Sequence, residues 1–188
     1  SEVLGLQCLI TDSTATPAAK AFWQHTGLGA SSRLAAIALN KEKAPSPKTG
    51  ENARKTICSR LAAIYTCPPG NIGLHPSGMA ALSNALDAIN ELSPQKSTIQ
   101  IGFPYVDVLK LPQVINHGSN LVLNTDPIHL EKKLTDEKPS AVIVELPSNP
   151  MLQCIDLPTI SKLAHDRGIL VIADDTVGSA VNIDALPY

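Results

Sequence analysis

The spacing of apolar residues changes near residue 70. Before it, apolar positions mostly follow a helical period. Ala18 to Trp23 predicts a short helix with Thr16 as its cap and Pro17 at its first position, where a missing N–H has no partner to lose. Leu34 to Leu39 predicts a second, and Ile57, Leu61 and Ile64 mark the inner stripe of a third over Glu51–Thr66, stopped by Pro68-Pro69-Gly70. Gly5 to Ile10 reads as a short strand. Gln24 to Arg33, with two glycines, reads as a loop, and Lys41 to Gly50 as an exposed polar linker.

Beyond residue 70 short apolar runs alternate with helix-period segments. The runs are Asn71–His75, Thr98–Phe103, Asn120–Asn124, Ala141–Leu146 and Ile169–Ala173. Between them, Met79, Leu82, Leu86 and Ile89 give a helix that begins near Ser77. Val106–Ile115 is helical with a break at Pro112, and Asp126-Pro127 caps a helix to about Leu134. Asp156 caps the last helix, whose inner face is Leu157, Ile160, Leu163 and Ala164 and whose end is Gly168. About five strand–helix alternations predict an α/β fold, a mainly parallel, doubly wound sheet with right-handed crossovers. A helical N-terminal segment precedes it. The boundaries expected are residues 1–66 for that segment and 67–188 for the α/β part. The unbroken run Ile169–Ala173 predicts a strand buried on both faces.

Composition narrows the function. The chain has 188 residues, 44% hydrophobic and 17% charged, with formal net charge −2. That balance gives no reason to expect nucleic acid as a partner. No apolar run approaches a membrane span, and no leader-like segment opens the chain, so a cytoplasmic protein is expected. The cysteines, Cys8, Cys58, Cys67 and Cys154, have no metal-site or disulfide-scaffold spacing and are expected to be free thiols. No metal site is expected.

Four features fall at strand-to-helix junctions, which parallel packing gathers at one sheet edge. Pro76-Ser77-Gly78-Met79 enters a helix with exposed N–H groups, a place for an anion, though a tight packing turn reads the same way. Tyr105, after Gly102-Phe103-Pro104, can lay its ring on a flat ligand or pack at the sheet edge. Asn149, in Pro147-Ser148-Asn149-Pro150, offers donor and acceptor or is a plain turn residue. Asp174, ending the last apolar run, can keep a ring nitrogen protonated or serve as a turn cap. Because strand residues alternate sides, Asp174 and Asp175 should not both enter one pocket.

Together these motifs resemble the Cys/Met-metabolism (transsulfuration) branch of the fold-type I pyridoxal-phosphate (PLP) enzymes, most of all fungal cystathionine γ-synthases. The stretches that carry the resemblance are FWQHTGLGASSR, HPSGMAAL, GFPYVDVLK, VIVELPSNPMLQCIDL and VIADDTVGSAVNIDALPY. The resemblance implies a PLP site. In it Ser77, Gly78 and Met79 form the phosphate cup, Tyr105 stacks on the pyridine ring and Asn149 lies near the 3-oxygen and substrate carboxylate. Asp174 pairs with the ring nitrogen, Thr176 belongs to the same motif, and Arg33 reaches the phosphate of a neighbouring subunit. Where the family usually has Tyr, two positions before Arg33, this chain has Ser31.

The implied reaction is γ-replacement on an O-acylhomoserine by cysteine, in methionine biosynthesis, by a homo-oligomer (dimer or tetramer). A related cystathionine lyase or O-acylhomoserine sulfhydrylase shares the same motifs. The family's cofactor-bearing lysine lies beyond the Asp matched by Asp174, in a Ser-x-Thr-Lys context. No Lys follows Lys162 here, and the sequence starts with Ser1 and ends with Tyr188. The expectation is therefore a fragment of the PLP-binding domain, without the C-terminal domain or a catalytic lysine, and inactive alone. A non-catalytic remnant that acts as an interaction protein is the alternative.

Overall fold

The computed structural model describes residues 2–3 and 6–188. At the amino end, β1 (Glu2–Val3) pairs antiparallel with β2 (Leu6–Gln7). Of the strand expected over Gly5–Ile10, Gly5 lies outside the described residues and residues 8–10 are not strand. Three helices follow: α1 (Thr16–His25), α2 (Ser32–Ala38) and α3 (Pro47–Ile64). The remainder holds α4 (Gly78–Leu92), β3 (Thr98–Ile101), α5 (Val106–Ile115), β4 (Ser119–Val122), α6 (Pro127–Glu137), β5 (Ala141–Glu145), α7 (Leu157–His165), β6 (Leu170–Asp174) and the short α8 (Ser179–Asn182).

The main sheet is parallel, with strand order β4-β3-β5-β6. The chain moves from β3 outward to β4, then crosses back to β5 and on to β6. Right-handed crossovers then require the outward helix on one face and the returning helices on the other. The packing follows. Ile143 meets Leu82 and Leu86 of α4 and Val108 and Leu111 of α5. Its neighbours Val142 and Val144 face Leu130 and Leu134 of α6 and Leu157, Ile160 and Ala164 of α7. The two-residue alternation along β5 therefore supplies two cores. Each fully buried Leu or Ile contributes about 1.5–3 kcal/mol.

Several expectations need correction. Asn71–His75 is not a strand: Pro69–Asn71 forms a 3-10 turn, and the described sheet has no strand beside this segment to bond it. Among the described residues four parallel strands form, not five. α1 runs on to His25, shortening the loop expected from Gln24. Its entry is organised by Asp12, which accepts from the N–H groups of Thr14 and Ala15, and not by Thr16. Arg33 lies in α2, capped by Ser31, and not in a loop. The linker ends at Ser46, whose hydroxyl caps α3 at Thr49, with Pro47 in the first helical position. Pro112 sits inside α5 without breaking it. It forfeits one helical bond, while Val108 and Leu111 on the same helix are fully packed into the core. β6 is half-exposed, because among the described strands it is the sheet edge. No helix among the described residues is long and apolar enough to cross a membrane, and all four cysteines are free.

Candidate functional site

The chain reverses its direction of winding between β3 and β5. Loops leaving adjacent strands on opposite sides of such a point open a crevice at their carboxyl ends. Here the loop after β3 brings Tyr105, and the loop after β5 brings Asn149. A cavity of about 660 Å³ occupies this crevice. That is ample for a small cofactor, since such sites span roughly 300–1,000 Å³. Its walls include Ser77, Gly78, Met79, Tyr105, Asn149, Asp174 and Thr176. Seven of the eight residues singled out from sequence thus surround one space. Arg33 does not; it is exposed on α2, outside the cavity wall.

One end of the cavity is the start of α4. Ser77 Oγ accepts from Ala80 N–H at 3.1 Å, and Ser77 carbonyl accepts from Ala81 N–H at 3.0 Å. The N–H groups of Gly78 and Met79 keep no partner among the described residues. Two free N–H groups and the positive end of a 15-residue helix make an anion seat, to which the Ser77 hydroxyl can donate. Asp174 is another part of the same cavity wall. Its Oδ1 accepts from Thr176 N–H at 2.9 Å and from Thr176 Oγ1 at 2.5 Å, while Oδ2 has no partner among the described residues. Thr176 therefore orients Asp174. Apolar side chains, among them Leu82, Val108 and Ile172, complete the wall.

Glu145 is the residue that sequence reasoning passed over. It ends β5 directly beside Asp174 in register and is only 7% exposed. Its Oε1 accepts from Tyr105 N–H at 2.5 Å and its Oε2 from Asn149 N–H at 3.2 Å. One carboxylate thus ties the two loops of the crevice together. Burial pushes its pKa up, and the nearby Asp174 charge adds to this, while the two N–H bonds oppose it. A signal was present: Glu145 closes an apolar run just as Asp174 does.

Asp175 corrects the alternation argument. It lines the cavity along with Asp174, because β6 ends at Asp174 and the two-residue rule ends with it. The Tyr65 hydroxyl, at the close of α3, donates to Asp175 Oδ2 at 3.1 Å. Burial and this carboxylate push the Tyr65 phenol upward. No lysine is among the lining residues.

The arrangement suits a flat ligand with an anion at one end and a protonated base at the other. Comparisons with known proteins agree. The family model described as Cys/Met metabolism PLP-dependent enzyme matches residues 48–188. The cystathionine gamma-synthase of Neurospora crassa is 32% identical over 72% of this chain and 24% of its own length. That of Saccharomyces cerevisiae is 33% identical over 66% of this chain and 23% of its own. The L-2-amino-4-chloropent-4-enoate dechlorinase/desaturase of Streptantibioticus cattleyicolor is 29% identical over 94% of this chain and 38% of its own length. Among solved structures, the O-acetylhomoserine sulfhydrylase of Wolinella succinogenes superposes with TM-score 0.57 at 23% identity, covering 73% of this chain and 40% of that one. The chain thus spans two fifths or less of the length of each of these relatives.

Proposed function

Because the chain belongs to the Cys/Met metabolism PLP-dependent enzyme family, we propose that the cavity at the carboxyl edge of its sheet is the pyridoxal-phosphate site of an enzyme of sulfur amino-acid metabolism. For the whole protein the reading is γ-replacement on an O-acylhomoserine by cysteine, of the cystathionine γ-synthase kind. The related O-acylhomoserine sulfhydrylation uses the same cofactor site. The observation that carries the reading is that two kinds of unclaimed group line one cavity: the Gly78 and Met79 N–H groups, and Asp174 Oδ2.

When bound, pyridoxal phosphate supplies the electron sink that carbanion chemistry at an amino acid needs. This chain's own residues would do the following. Gly78, Met79 and Ser77 hold the phosphate at the α4 N-terminus. Asp174, steadied by Thr176, keeps a proton on the ring nitrogen, because opposite charge favours the ionised form of both. Tyr105 covers one ring face. Asn149 turns its amide toward the 3-oxygen and the substrate carboxylate. Arg33, outside the cavity, is assigned to the phosphate of a neighbouring subunit in a homo-oligomer. The α/β part that holds these groups runs from about residue 67, with residues 1–66 as a separate leading segment.

No lysine lines the cavity among the described residues, so residues 1–188 by themselves are expected to hold the cofactor without a covalent bond. Free pyridoxal phosphate is achiral and gains visible circular dichroism only in an asymmetric site. Titration should therefore give a saturable band with the wild-type chain, much weakened by Asp174→Asn. A band unchanged by that substitution would remove the ring assignment.

A further inference from the structure

The loop that presents Asp174 is held from three directions. At its start, the Leu146 N–H beyond β5 donates to the Asp174 carbonyl at 2.8 Å. At its far end, the Ser179 N–H of α8 donates to the Asp175 carbonyl at 2.6 Å. A Cβ on Gly178 would stand 2.6 Å from the Leu146 carbonyl, so the loop is also packed against the chain leaving β5. These contacts fix backbone. The third acts on a side chain: the Tyr65 hydroxyl donates to Asp175 Oδ2 at 3.1 Å, from 110 residues away.

Tyr65 is a fixed origin for that bond. It closes α3, and its N–H donates to the Leu61 carbonyl at 2.9 Å. Thr66 follows at φ +53°, and the Cys67 N–H turns back to the Ala62 carbonyl at 3.0 Å. That is a Schellman ending, with a β-branched residue where glycine is usual. Backbone in this region persists only where its surroundings hold it. The anchor is Ala62, 4% exposed. Asp175, at the other end of the bond, is the middle residue of the turn that Asp174 makes with Thr176. Asp174 Oδ1 accepts from the Thr176 N–H and hydroxyl across it. A shift of residue 175 therefore moves both ends of the turn.

We propose that Tyr65 is a positioning residue for the ring-nitrogen acid: by holding Asp175 it fixes the turn from which Asp174 faces the cavity, and so ties α3 to the cofactor site. The link from Tyr65 to the turn stands on the geometry of the chain itself. Its consequence for the cofactor rests on the function proposed above.

Tyr65→Phe removes the hydroxyl and keeps the ring, so ring-current shifts are preserved. In cofactor-free protein the NMR signal of the Thr176 amide should move, while the Tyr105 and Asn149 amides, held by Glu145, stay in place. Pyridoxal phosphate should bind about threefold more weakly to Tyr65→Phe, as for the partial loss of one hydrogen bond. With cofactor isotope-labelled at the ring nitrogen, the bound signal should shift toward its unprotonated position, which a loss of packing alone would not cause. Both changes should vanish in an Asp175→Ala background, where the hydroxyl has nothing to hold. A Thr176 amide or a bound ring-nitrogen signal unmoved by Tyr65→Phe, or a loss of affinity that persists without the Asp175 carboxylate, overturns the inference. An amide response in a chain whose wild type binds no pyridoxal phosphate overturns the cofactor reading and leaves the positioning contact standing.

Discussion

The two edges of the main sheet carry different kinds of polar group. At the amino edge, Lys96, Lys138 and Arg167 surround a hollow of about 310 Å³. Arg167 is answered locally. It donates to Glu131 Oε1 at 2.7 Å, to Thr135 Oγ1 at 3.1 Å and to the Leu163 carbonyl at 2.9 Å. Lys138 closes α6, where a cation offsets the negative end of the helix, and Lys96 is exposed beyond the end of α4. At the carboxyl edge, by contrast, the N–H groups of Gly78 and Met79 and one oxygen of Asp174 remain unclaimed around a cavity twice as large. The lesson is that charge alone does not mark the site. The basic edge suits an anion by residue type, yet its lysines are exposed surface side chains, whereas the carboxyl edge offers backbone N–H groups and a carboxylate held by Thr176.

The contrast can be broken most sharply at Asp174. Asp174→Asn keeps an acceptor for Thr176 and removes the charge, and should weaken pyridoxal phosphate by at least about thirtyfold in equilibrium titration. Gly27→Ala tests how tightly the carboxyl edge is built. The added methyl meets α4 backbone at a φ unfavourable to alanine, and should lower stability by about 1–3 kcal/mol in urea unfolding.

Glu145 gives a pH signature specific to this edge. Its folded pKa is raised, so the folded chain binds more protons than the unfolded chain between the ordinary and the raised value. Its contribution is thus most favourable below the ordinary glutamate pKa and is lost as pH rises through the folded value. Urea midpoints across that window should fall with rising pH in the wild type, and this component should be missing in Glu145→Gln. The smallest effect belongs to the amino edge. Lys138→Ala should change pyridoxal phosphate affinity by less than about twofold, because surface charges this far from the site are screened. A large loss there would erase the distinction between the edges.

Much of this was legible in the sequence, for physical reasons that differ by region. The helix starts at Ser77, Asp126 and Asp156 were readable because a capping side chain is a local signal. β3 and β5 were readable because buried parallel strands are apolar runs. The start of α3 was also written locally, in Ser46-Pro47, but a polar first turn hid it. Other features are tertiary. Asn71–His75 has strand-like residues and no neighbour to pair with among the described strands. The half-exposure of β6 follows from its place in the sheet, not from its residues. In the site, Asp174 and Tyr105 could be picked out by type and position. The bond from Glu145 to both Tyr105 and Asn149, and the contact of Tyr65 with Asp175 across 110 residues, exist only once the strands are aligned.

On the function proposed above, the carboxyl edge, and not the basic amino edge, receives the cofactor in a fixed orientation. The most direct measurement is a crystal structure of the chain soaked with pyridoxal phosphate. The phosphate should lie within hydrogen-bond reach of the Gly78 and Met79 N–H groups, with the ring nitrogen against Asp174 Oδ2. Pyridoxal phosphate found instead beside Lys96 and Lys138, with the Asp174 cavity empty, would contradict it.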